Sequence, residues 1–268
     1  MEALLAFADS FLAWFASTAF PVFLGLVIIT GAGKFVRPKL LAAFAFGIFL
    51  WFFVDTISGS ANLYVNLGFT GGLNQVAVSA LFAFGVILLF FADRKIFAGD
   101  SAGGSLDFSI PLLVAIAVGV HGFGEGTAFG SIVATTPITS LLDAFGGVSA
   151  GVAYALHKAL EPMMIGACYV AYSQARSKKA SGWLKDCIVL TALFVTPSLV
   201  GAATGYYIRY DATYFFALGT GTSAYAALRL ARPLFSGSVP ATSYESVKVG
   251  LWLVFGFACI YLAALFHS

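Results

Sequence analysis

The chain has 268 residues; 60% are apolar, 28 are Phe and only 10% are charged, where a soluble domain carries about 25% charged residues. So few charged side chains cannot coat a soluble fold of this length, which excludes a cytosolic enzyme, a nucleic-acid binder and a disordered chain. The net charge of +2 is informative only through where the charges sit.

The apolar residues come in unbroken runs, not in the alternating ten-residue segments of a membrane β-barrel. The expectation is an all-α polytopic membrane protein. A span takes about 20 mainly apolar residues, and eight such stretches follow in order: 11–33, 40–58, 75–92, 108–130, 144–172, 182–208, 213–230 and 247–266. The connections are short, so residues 1–268 read as a single transmembrane domain. Lys34, Arg37 and Lys39 follow the first span, and Arg94 and Lys95 follow the third. Arg176, Lys178, Lys179 and Lys185 follow the fifth, and Arg229, Arg232 and Lys248 lie around the turn after the seventh. The other side of the membrane receives Arg209 alone, and Lys158 lies inside a span. By the positive-inside rule both termini face outward from the cell membrane. Cys168, Cys187 and Cys259 fall in or beside apolar segments with no paired spacing, so no disulfide framework is expected.

Ionisable groups at mid-membrane cost about 2.5–3.5 kcal/mol each on insertion scales, which makes them functional candidates. Spans four and five hold nearly all of the strong ones. HGFGEG carries His121 and Glu125, and HKALEP carries His157, Lys158 and Glu161. In each span His and Glu are four apart and share one helix face. A short connection makes the two spans an antiparallel hairpin, so two imidazoles and two carboxylates converge at one depth. That donor set suits Zn²⁺ or another first-row divalent ion and suits alkali ions poorly. Gly122, Gly124 and Gly126 strip bulk from the helix around Glu125, permitting close approach of a ligand or a neighbouring helix. Pro162 follows Glu161 and cannot donate to the Lys158 carbonyl, which predicts a kink.

In these residues the chain resembles the ZIP family of metal transporters. HGFGEG at 121–126 and HKALEP at 157–162 keep the His and Glu of that family's motifs in its fourth and fifth spans. TPSLVGAATG at 196–205, with Thr196 and Pro197, is similar to the family's span-six segment. FAFGIFLWFFVD in span two and FALGTGTSAYAALR in span seven are looser matches. The resemblance implies a 3+2+3 inverted-repeat bundle, alternating access and a homodimer. It also implies a first metal site at His121, Glu125, His157 and Glu161. The family's second site shares the two Glu and adds three positions, matched here by Gly122, Lys158 and Thr196, none of which offers a carboxylate or amide. Lys158 places an ammonium where a second cation would sit, so the expectation is a mononuclear site with Lys158 in place of the second metal. The connection DRKIFAGDSAGGSLD contains no His, which departs from the family's His-rich loop.

Asp55, in span two, and Asp107 and Asp143, at the starts of spans four and five, are candidate vestibule acids along the ion's path. Arg229, at the inner end of span seven, reads as a membrane anchor. The expected function is passage of a divalent transition metal, Zn²⁺ first among them with Fe²⁺, Mn²⁺ and Cd²⁺ also fitting, as transported substrate towards the cytosol. Two rivals are a membrane-embedded zinc hydrolase, using one Glu as general base, and a metal-binding sensor without flux. No HExxH or Gly-x-Ser-x-Gly motif supports the hydrolase.

Overall fold

In lipid every backbone polar group must be satisfied internally, so long apolar runs become helices. The computed structural model describes residues 2–65, 73–96, 106–135, 147–175, 182–208, 211–235 and 243–264, and no strand occurs among them. Eight long helices occur among the described residues: α1 (Glu2–Ala32), α2 (Pro38–Val65), α3 (Leu73–Ile96), α4 (Ser109–Thr135), α5 (Val148–Ala175), α6 (Trp183–Ile208), α7 (Ala212–Phe235) and α8 (Ser243–Ala264). Each predicted span has its helix. The observed helices overrun several predicted ends because the sequence estimate counted only the apolar window.

Local chemistry sets the ends. A 3₁₀ turn, Gly33–Phe35, follows α1, and Val36 is extended ahead of Pro38, which opens α2 at the position where proline's missing N–H costs nothing. Asp107 accepts from the Ser109 backbone N–H at 2.9 Å, and Asp211 does the same for Thr213 at 3.0 Å. These are aspartate caps on α4 and α7. Gly147 precedes α5 at φ +104°, a conformation that glycine adopts without strain.

Among the described residues six helices are long and apolar enough to cross a membrane: α1, α2, α3, α4, α6 and α8. The helices α5 and α7 fall short because polar residues dilute them, and those residues point inwards. His157, Lys158 and Glu161 on α5 are buried, as are Thr220, Thr222 and Ser223 on α7. The outer faces are apolar; Phe20, Phe23, Val76, Leu184, Leu228 and Leu251 are all exposed.

The most extensive helix contacts are α4 with α6, α2 with α8 and α3 with α7, followed equally by α1 with α5 and α4 with α7. In each pair a glycine lies against the partner. A Cβ on Gly25 would strike the Ala159 carbonyl, on Gly47 that of Leu253, on Gly221 that of Phe82, and on Gly201 that of Phe123. Helices in lipid associate through such close backbone contact. The contacts α2 with α7 and α2 with α5 are somewhat smaller. One large apolar cluster includes Phe49, Phe52, Val118, Met164 and Phe194. A smaller cluster comprises Trp14, Phe129, Tyr154 and Ala202.

Candidate metal centre

Along α4, Val118 belongs to the large cluster and Phe129 to the small one; along α5, Tyr154 belongs to the small cluster and Met164 to the large. His121, Glu125, His157, Lys158 and Glu161 lie between them. The polar site is therefore sandwiched between two apolar layers.

The structure brings together the four predicted ligands. His121, Glu125, His157 and Glu161 each offer one donor atom, and these atoms lie within 4.8 Å of one another. Lys158 and Glu161 are fully buried, His121 and His157 nearly so, and the Glu125 side chain is 17% exposed. A tetrahedral shell with bonds of about 2.0–2.2 Å spaces its ligands about 3.3–3.6 Å apart, so binding draws these groups inwards by about an ångström.

The carboxylates divide their oxygens. Glu161 turns Oε1 to His157 Nε2 at 2.9 Å and Oε2 to Lys158 Nζ at 2.8 Å. Glu125 turns Oε1 to His121 Nε2 at 3.5 Å and Oε2 to the same ammonium. Lys158 therefore bridges the two carboxylates and leaves one oxygen of each facing an imidazole. Its ammonium also lies over the rings of Phe194, at 5.4 Å, and Tyr154, at 5.7 Å, and aromatic faces attract a cation. The ammonium does not snorkel; it is held inside the bundle by two carboxylates and two aromatic rings.

Gly122 occupies the place on α4 that Lys158 has on α5, directly after the His. A Cβ there would make only ordinary contact with Ser198, with Glu125 Oε2 4.0 Å away. Gly124 and Gly126 serve packing: a Cβ would meet the Phe216 ring at 2.9 Å and the Ser198 carbonyl, respectively. Of the two approaches the glycines permitted, the neighbouring helix is the one realised at both positions. Pro162 and Pro197 lie inside helices that run continuously through them. The buried Pro162 packs on α1, where a Cβ at Gly25 would lie 3.0 Å from its ring.

Thr196 requires a correction. It is exposed on α6, while Ser198, two residues on, is the α6 side chain that faces Gly122. The sequence match placed the α6 segment out of helical register with the site. Ser198 is buried and accepts from Trp14 Nε1 at 3.1 Å.

Asp55 is half-buried on α2, and Asp143 lies outside the described residues. Asp107 does not line an open vestibule. It is buried, caps α4 and pairs with Arg229 Nη2 at 3.2 Å. Arg229 also reaches Asp93 Oδ2 at 2.7 Å, and Tyr225 donates to the same oxygen at 2.6 Å. Arg229 is thus the centre of a buried ion cluster tying α3, α4 and α7, and more than an interfacial anchor.

Two features escaped sequence reasoning. Asp93 reads as loop charge beside Arg94 and Lys95, and only its spacing to an aromatic–Arg pair four apart on α7 could have marked it. Thr56, buried on α2, places Oγ1 3.3 Å from His121 Nδ1; a lone Thr in an apolar run carries no signal of that contact. The sequence matches no protein-family model and no curated protein.

Proposed function

We propose that this chain is a carrier for a divalent transition metal, Zn²⁺ foremost, moving it across the membrane by alternating access through His121, Glu125, His157 and Glu161. The observation that carries this reading is the convergence of four N and O donors, from two helices, midway between two apolar layers. Two imidazoles and two carboxylates without thiolates hold a borderline divalent ion, yet less tightly than a structural Cys site does. A carried ion must be able to leave.

Lys158 takes the place of a second metal. The two carboxylates and the ammonium sum to −1, so one proton neutralises the empty site and spares it a large buried charge during reorientation. The metal is substrate, and direction towards the cytosol follows the likeness to ZIP transporters. Eight spans, outward termini, a cell-membrane location and a homodimer belong to the same reading.

An inverted 3+2+3 repeat has packing in its support. Exchange α1–α3 with α6–α8, and α4 with α5. The pair α1–α5 becomes α6–α4, α2–α8 becomes α7–α3 and α4–α7 becomes α5–α2, and all six of these pairs pack together. Individual contacts follow: Gly25 on Ala159 becomes Gly201 on Phe123, each carbonyl two residues beyond its His, and Gly47 on Leu253 becomes Gly221 on Phe82. The two His-x-x-x-Glu pairs exchange as well. Such repeats carry substrate sites at their interface near the bilayer midplane.

The test is equilibrium dialysis of the purified protein against Zn²⁺. The expected count is one exchangeable ion per protomer, lost in Glu161→Ala. A count near two overturns the role of Lys158, and no binding overturns the metal reading. A single ion that never exchanges, together with lipid turnover, transfers the assignment to a membrane-embedded hydrolase.

A further inference from the structure

One contact outside the ligand motifs joins α2 to the imidazole of His121. Thr56 is fully buried. Its Oγ1 lies 2.8 Å from the Phe52 carbonyl, one turn back on α2, and 3.3 Å from His121 Nδ1. A hydroxyl has one proton to donate and lone pairs to accept with. The carbonyl can only accept, and it is the nearer partner, so the Thr56 proton goes to Phe52. The Thr56 oxygen is then an acceptor towards His121, and the neutral imidazole must supply the proton from Nδ1.

That leaves Nε2 as the nitrogen with a free lone pair. The rest of the site agrees. His121 Nε2 is buried and has no hydrogen-bond partner. The nearest carboxylate oxygen, Glu125 Oε1, lies 3.5 Å away, too far for a good hydrogen bond. A protonated Nε2 would have only this long contact to the Glu125 carboxylate to donate to. Two rings hold the imidazole plane: Phe52 edge-on at 4.5 Å and Phe216 at 5.3 Å.

We propose that Thr56 is a positioning residue for the metal centre: it fixes His121 in the Nδ1–H tautomer and aims the Nε2 lone pair at the ion. This rests on the metal reading above and names a part of the site that the ligand motifs do not contain. Outer-shell partners of this kind orient ligating histidines, and their loss typically costs 10–100-fold in metal affinity. The bond also joins α2 to the helix that carries half of the ligands.

The chain has three His, so ¹⁵N spectra of the full-length protein with labelled histidine, in nanodiscs without metal, resolve each ring. The His121 signals are assigned by difference from His121→Asn. The native protein is expected to show a protonated Nδ1 and an unprotonated Nε2 at His121. Thr56→Val keeps the shape and removes the acceptor; it is expected to mix the two tautomers and to weaken Zn²⁺ binding 10–100-fold. Thr56→Ser keeps the hydroxyl and is expected to restore both. A protonated Nε2 at His121 in a native chain that binds Zn²⁺ overturns this inference alone. So does a Thr56→Val protein that binds Zn²⁺ like the native one, or a Thr56→Ser protein with its tautomers mixed. A native chain that binds no Zn²⁺ but shows Nδ1–H at His121 overturns the metal reading and leaves the hydrogen-bond assignment standing.

Discussion

Replacing Lys158 with Met removes the one positive charge from the centre while keeping a side chain of similar length. In the native chain Nζ bonds Oε2 of both Glu125 and Glu161, so an ion on the facing Oε1 atoms sits across each carboxylate from the ammonium. At about 5 Å and an effective dielectric of about 20, a single and a double positive charge repel by about 7 kcal/mol. The variant loses that repulsion. It also leaves two buried carboxylates without a counter-charge, so the metal-free variant takes up a second proton beyond the one that neutralises the native site. Zn²⁺ must displace that proton, which offsets much of the gain. The expected result at neutral pH is at least tenfold tighter binding, with about one more proton released per ion than in the native protein. Calorimetry in buffers of different ionisation enthalpy counts the protons directly. An unchanged count, or weaker binding, refutes the assignment of Lys158 as the fixed cation of the site.

Other predictions follow from particular contacts. In Gly126→Ala the new Cβ runs into the Ser198 carbonyl, whereas at Gly31 nothing lies within 4 Å; thermal unfolding in detergent is expected to show a loss of about 1–3 kcal/mol for the first and none for Gly31→Ala, and equal losses contradict the packing account. Arg229→Met strands Asp93 and Asp107 in the interior, with an expected loss of about 3–5 kcal/mol; a shift under 1 kcal/mol in denaturant unfolding means that the cluster is solvated. Both imidazoles must be neutral to bind a metal, so Zn²⁺ affinity is expected to fall as the pH is lowered; binding that strengthens with acid in a pH titration contradicts the ligand set.

The helices were readable from sequence because lipid leaves an apolar run one way to satisfy its backbone, and the polar insertions in α5 and α7 are too few to break it. His121 with Glu125 and His157 with Glu161 were readable because a spacing of four fixes a shared face whatever the surroundings. The partners of these residues were not. Thr56 is a contact between α2 and α4, and Asp93 meets Arg229 across 136 positions of sequence; both depend on how helices rotate against each other. Thr196 failed for the same reason, since two residues of register turn a side chain from the interior to the surface. Composition showed Lys158 as an intramembrane cation, but that it clasps both carboxylates is a fact of packing.

Transport itself is the central claim, and Zn²⁺ entry into proteoliposomes measures it directly. Native protein is compared with Glu161→Ala at matched insertion and orientation. Saturable entry by the native protein, abolished in the variant, is the predicted result. Stoichiometric binding without entry by the native protein contradicts the carrier reading and leaves a metal-binding sensor or an enzyme in its place.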